Sequence, residues 1–153
     1  MAGYRWVEGA RFGGDASAVG DALEAVREKS GGVLTAESVV QEAAKKRSPL
    51  RRYFEWNDGA AAREYRLYQA RNLIRAVEVV VEEREDLEVN AFLHFASAGG
   101  YVRASDAVQD DALRGELERR GKAEMAGLRR KYGHLKIFAG IMAEIDRVVN
   151  VAG

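Results

Sequence analysis

Arg71, Asn72 and Arg75 fall within one and a half helical turns of each other, with Tyr68 one turn before them. Arginine and asparagine each present paired hydrogen-bonding groups in one plane. That geometry reads guanine and adenine edges in a duplex, and arginine also neutralises phosphate. Lys45, Lys46, Arg47, Arg51 and Arg52 precede this group. Residues 45–75 hold nine basic and three acidic side chains, a balance of +6, and residues 76–100 hold one and six, a balance of −5. Residues 1–44, at −3, and 101–153, at +2, bring the total to zero. A zero total speaks against indiscriminate attraction to nucleic acid, whereas the local basic segment suits site-directed binding.

Other chemistries find little to work with. The chain has no cysteine, so disulfides, thiolate nucleophiles and cysteine metal sites are excluded. His94 and His134 are forty residues apart with no acid at ligand spacing, and no metal is expected. Gly13-Gly14 and Gly31-Gly32 lack the Gly-Lys-Ser/Thr of a phosphate loop, and no Gly-x-Ser-x-Gly elbow occurs. Asp110-Asp111 reads as helix-start charge. No reaction class can be assembled from named residues, so neither an enzyme nor a cofactor is expected. Met1 to Ala10 lacks the apolar run of a signal peptide, and no segment approaches the ~18 apolar residues of a membrane span. A soluble protein of a reducing, cytoplasmic compartment is expected.

The elements that must carry the basic residues follow from periodicity. Tyr4 to Phe12 alternates weakly, as a short strand or arm would. Asp15 or Ser17 caps a first helix over 16–29 with Val19, Leu23 and Val26 inward, and Gly31-Gly32 ends it. Thr35 caps a second helix over 36–46, stopped by Ser48-Pro49. Leu50, Tyr53, Phe54 and Trp56 form an aromatic stretch, with Phe54 and Trp56 expected in the core. A third helix spans 59–76. At 100° per residue Leu67, Ala70, Leu73, Ile74 and Val77 share its core face, and Tyr65, Tyr68, Arg71, Asn72 and Arg75 lie opposite. Arg63 and Arg66 lean toward the apolar side and are expected to pair with Glu55 or Asp58.

The period then changes to two. Val77, Val79 and Val81, then Val89, Ala91, Leu93 and Phe95, predict one antiparallel hairpin over 77–96 with an acidic tip at Glu82, Glu83, Glu85, Asp86 and Glu88. Phosphates would repel that tip. Asp110 caps a long helix, and Leu128, Tyr132, Leu135, Met142, Ile145 and Val149 approximate a heptad seam interrupted near Gly133 and Gly140. The fold class is thus mainly α with one β-hairpin. A three-helix, helix-turn-helix or winged-helix-like module over 1–100 precedes a C-terminal helical segment over 101–153. In such modules the second helix of the pair enters the major groove.

Ser48-Pro49-Leu50, Phe54-Glu55-Trp56-Asn57-Asp58, Tyr65-Arg66-Leu67-x-Gln69-Ala70-Arg71 and Leu128-Arg129-Arg130-Lys131-Tyr132-x-His134-Leu135 resemble an uncharacterised family of bacteriophage and prophage proteins. The resemblance covers most of the chain. It implies a phage setting in a bacterial host cytoplasm and transfers no activity. Two functions are expected from the residues and this setting together. One is double-stranded DNA binding through Lys45, Lys46, Arg47, Arg51, Arg52, Tyr68, Arg71, Asn72 and Arg75, by an oligomer held through its C-terminal seam. The other is a non-enzymatic structural or adaptor role in a phage assembly, the basic third helix meeting the acidic hairpin between subunits.

Overall fold

Capping decides where the first helices begin. The Asp15 carboxylate accepts from the Ser17 amide at 2.9 Å and opens α1 (Ala16–Lys29), which buries Val19, Leu23 and Val26. Thr35 and Ser38 cap α2 (Ala36–Ala43) reciprocally, each side-chain oxygen accepting from the other's backbone amide at 3.1 Å. The computed structural model describes residues 3–59, 61–81 and 84–150, and of Arg84, Glu85 and Asp86 only the backbone.

Two helix ends differ from expectation. α2 stops at Ala43 rather than 46, because Lys45 to Ser48 already turns toward Pro49 and the Ser48 amide donates to the Lys45 carbonyl at 3.1 Å. α3 (Ala62–Arg75) begins three residues later than expected, after a turn in which the Ala62 amide donates to Gly59; Ala60 lies outside the described residues.

The β structure confirms an antiparallel hairpin and adds a second. β1 (Tyr4–Trp6), β2 (Val77–Val81) and β3 (Arg84–Asn90) form one antiparallel sheet in that order, with Val79 opposite Val89. β4 (Phe92–Phe95) pairs not with β2 but with β5 (Gly100–Arg103). Ala91 is the reason: it is buried, its N–H donates to the Val77 carbonyl at 3.0 Å, and its carbonyl accepts from the Ala104 amide at 2.9 Å. One residue is therefore bonded to β2 on one side and, on the other, to the residue that follows β5, and the expected 77–96 hairpin divides there. The tip residues Glu82 and Glu83 lie outside the described residues, as do the side chains of Glu85 and Asp86. Glu88 forms an ion pair with Arg5 of β1.

Leu34, in the extended link between α1 and α2, exchanges backbone hydrogen bonds with Tyr101 of β5 at 2.7 and 2.8 Å. Helix, extended residue, two helices and four strands thus follow in order, with the extended residue pairing with the last strand. Leu23, Leu34, Val39, Leu50, Leu73, Ile74 and Val77 are fully buried between these elements.

Phe54 is buried as expected, but Trp56 is only half-buried. Its ring lies between the guanidinium groups of Arg51 and Arg66, 4.7 and 5.3 Å from the centroid, and its indole N–H donates to the Arg51 carbonyl. Arg66 therefore stacks on an aromatic face rather than making the expected pair with Glu55 or Asp58 among the described residues.

Arg27 is buried without being stranded. It donates two hydrogen bonds to Glu24 at 2.6 and 2.9 Å and faces Asp106 at 3.6 Å, and Arg103 bonds the same two acids. Two acids and two arginines from α1, β5 and the start of α4 (Ala104–Gln109) thus alternate around a ring. The hydrogen bonds from Arg27 hold the Glu24 carboxyl below its ordinary pKa despite the opposing effect of burial.

The chain divides into two compact units, one ending at Asp106 and one starting at Ala107. The second is built on α5 (Asp111–Tyr132) and α6 (Ala139–Asn150), which pack together and are joined by an Arg129–Asp146 ion pair. Asp110 caps α5, accepting from the Leu113 amide at 2.9 Å. The seam is interrupted near Gly133, as expected: α5 ends at Tyr132 and a tight turn over Lys136–Phe138 intervenes. Leu135 sits in that connection. Ile145 is buried and Met142 and Val149 are half-buried, while Leu128, Tyr132 and Leu135 are exposed. Among the described residues no helix is long and apolar enough to cross a membrane.

Candidate nucleic-acid interface

α3 is the element that carries the candidate contacts. Leu67, Ala70, Leu73 and Ile74 recur at helical spacing and are buried, which fixes the rotation of the helix about its axis. Tyr65, Tyr68, Arg71 and Arg75 are consequently turned outward and are exposed, with Asn72 half-buried beside them. From Tyr65 to Arg75 this stripe runs about 15 Å along the helix. The two tyrosine rings lie near-parallel, 6.2 Å apart, at its start.

The arginine end of the stripe is ordered by its own helix. Arg75 donates from Nε to the Arg71 carbonyl at 3.3 Å and from a terminal nitrogen to Asn72 Oδ1 at 2.8 Å. This aligns the Arg75 guanidinium along α3. It also occupies the amide oxygen that Asn72 would need for a bidentate adenine contact. Asn72 thus supports the Arg75 side chain.

Beside these arginines lies a half-open groove of about 580 Å³. Its walls are the start of α2 (Thr35, Glu37), Arg71 and Arg75 of α3, and His94 and Tyr101 from β4 and β5. The Leu34–Tyr101 pairing holds the first and last of these together. Gly100 permits that approach: a Cβ there would meet the Leu34 carbonyl oxygen at 2.7 Å and the Val33 side chain at 2.8 Å. The His94 ring stands edge-on to Tyr101 at 5.1 Å. Two cationic side chains thus border the recess, and Glu37 is the acid among its described lining residues.

The nine residues expected to contact DNA fall into two groups. Tyr68, Arg71, Asn72 and Arg75 share the α3 stripe, with Arg71 and Arg75 at the N-terminal end of α2. Lys45, Lys46, Arg47, Arg51 and Arg52 follow its C-terminal end, a helix length of about 12 Å away. Several of the second group are engaged within the chain. Lys45 pairs with Glu42 at 2.6 Å, Arg51 donates to the Ala44 carbonyl at 2.7 Å and covers Trp56, and Arg52 lies over Tyr53. Lys46 and Arg47 are exposed.

Sequence periodicity found the α3 stripe but not the groove. Thr35 read as a cap, His94 as a strand residue and Gly100 as a hairpin closure, and the pairing of Leu34 with Tyr101 bridges 67 residues without a local signal. The Gly99-Gly100 pair just before Tyr101 was the one usable sign of a close backbone approach. Comparisons with family models, curated proteins and solved structures return no match for the chain.

Proposed function

We propose that this protein binds double-stranded DNA through the outward face of α3, as an oligomer held by its C-terminal helices, in a phage or prophage setting within a bacterial host. The observation that carries the reading is the pair Arg71 and Arg75. Both are exposed one turn apart on a helix whose opposite face is core, and both border a groove. A helix held in this way can be presented rigidly to a major groove, and its arginines can take guanine edges or phosphates. The order of elements supports it further. An extended residue between the first two helices pairs with a strand that follows the third, as in a winged-helix module. The reading is of a binding protein with regulatory, packaging or accessory duty rather than an enzyme.

Lys46 and Arg47 would extend the contact along the backbone, since a duplex carries a charge every ~1.7 Å of its axis and passes both ends of α2. The test is a labelled-duplex titration at 50 and 200 mM salt. Binding should weaken steeply with salt. Arg71→Ala and Arg75→Ala should each flatten the plot of log affinity against log salt by about 0.9 if the lost contact is to phosphate. A guanine contact would instead cost about 1–3 kcal/mol on the preferred sequence alone. No duplex binding at low salt would refute the proposal and leave the adaptor role, in which the α3 stripe meets a protein.

A further inference from the structure

A helix of 22 residues normally buries one face, yet α5 has no buried residue. Along it Met125, Leu128 and Tyr132 recur at intervals of three and four and are 40–48% exposed. On α6, Ile141 and Val148 are two turns apart and 61% and 38% exposed, and Ile137 in the connecting turn is 84% exposed. Two helices cannot enclose a core, because each has only one neighbour to cover its apolar side. A pair of two-helix hairpins can, as a four-helix bundle.

We propose that the hairpin of α5 and α6 is the self-association surface of this protein and that its partner is a second copy of the chain, with the two α5 helices running antiparallel. Charge selects that partner and that direction. Residues 110–118 carry one basic and four acidic side chains, a balance of −3, and residues 119–132 carry six basic and one acidic, a balance of +5. Antiparallel copies set the acidic start of each α5 against the basic end of the other, twice by two-fold symmetry. Parallel copies would set like charge on like. The area is sufficient: covering the six exposed apolar side chains removes roughly 600 Å² per copy and about 1,200 Å² per pair, the lower range for a stable specific interface.

The inference gives the oligomer of the DNA-binding proposal a surface and an orientation, but its test needs no nucleic acid. The whole chain is sedimented over a concentration series at low ionic strength. A species of twice 16.9 kDa that dissociates on dilution is expected. Leu128→Glu with Ile141→Glu should abolish it; both positions are exposed, so helical circular dichroism should be kept. Two milder variants test the direction. Glu116→Lys with Glu118→Lys, and Arg130→Glu with Lys131→Glu, should each weaken self-association about tenfold, and an equimolar mixture of the two should restore it as a mixed dimer. A 16.9 kDa species alone at 100 μM, or a dimer that neither set of changes affects, would overturn the proposal. Duplex binding measured on the same preparations is a separate readout, so loss of one property does not imply loss of the other.

Discussion

Glu24 ties the first unit's stability to pH. Its carboxyl is held below the ordinary value near 4.5, chiefly by hydrogen bonds from Arg27. A depressed carboxyl favours the folded state fully above the unfolded pKa and loses that contribution as the pH falls through the folded pKa. Glu24→Gln should therefore cost roughly 3 kcal/mol at pH 7, since it leaves Arg27 buried with Asp106 as its remaining acid. The gap between wild type and variant in urea denaturation should narrow below about pH 4. An equal gap at pH 7 and pH 3 would show that the ring contributes nothing through ionisation. Trp56 follows a different logic. It is half-buried between two arginines, so Trp56→Ala should cost about 2 kcal/mol, less than the 3–5 kcal/mol of a fully buried aromatic. A loss in the full range, seen in the same denaturation assay, would show that the ring is core after all.

At the scale of elements, what was legible in the sequence was local. The caps at Asp15, Thr35 and Asp110 mark three helix starts, and the apolar spacing of Leu67, Ala70, Leu73 and Ile74 sets the outward face of α3. What was hidden depends on residues far apart. β4 continues the alternation of β3 without a break in pattern, and only Ala91 bonding to both Val77 and Ala104 reveals the change of sheet. Gly133 and Gly140 marked the break in the α5–α6 seam, but the spacing carried no sign of the turn over Lys136–Phe138, because periodicity does not register a turn that preserves phase. Two glycines test these junctions. Gly100→Ala puts a Cβ 2.7 Å from the Leu34 carbonyl oxygen, so it should cost about 1–3 kcal/mol and loosen the pairing that closes the groove. Gly20→Ala puts one within 2.2 Å of the Tyr4 ring and should displace β1 from α1. Hydrogen exchange checks both. Accelerated exchange at the Leu34 and Tyr101 amides is expected in the first variant and at Val7 and Val80 in the second. Unchanged exchange would mean that the backbone moves to accept the methyl group.

For the whole molecule the question is where an independently stable part ends. A boundary at residue 100 follows the end of the alternating pattern, but β5 lies beyond it and completes three features at once. It pairs with β4, it holds Leu34 through Tyr101, and it brings Arg103 to Glu24 and Asp106. The main apolar cluster reaches Tyr101 and includes no later residue. A chain ending at residue 109, which keeps all of α4, should therefore unfold cooperatively in urea with a midpoint near that of the full protein. A chain ending at residue 100 loses the strand partner of β4 and leaves Arg27 without Asp106. Arg27 keeps Glu24, but the burial of Tyr101 and Val102 is lost at about 1.5–3 kcal/mol each and the lost strand adds to it, against a total stability of about 5–15 kcal/mol for a domain of this kind. That shorter chain should be unfolded or molten at 25 °C, with poor dispersion of its amide resonances. If it folds as well as the longer one, β5 is an addition to the first unit and not part of what holds it together. If the 109-residue chain folds, it also supplies the monomeric form for the duplex titration. On the proposed DNA-binding, dimeric reading, it should keep a salt dependence that Arg71→Ala and Arg75→Ala flatten but bind more weakly than the full protein, because a single site lacks the avidity of two linked ones.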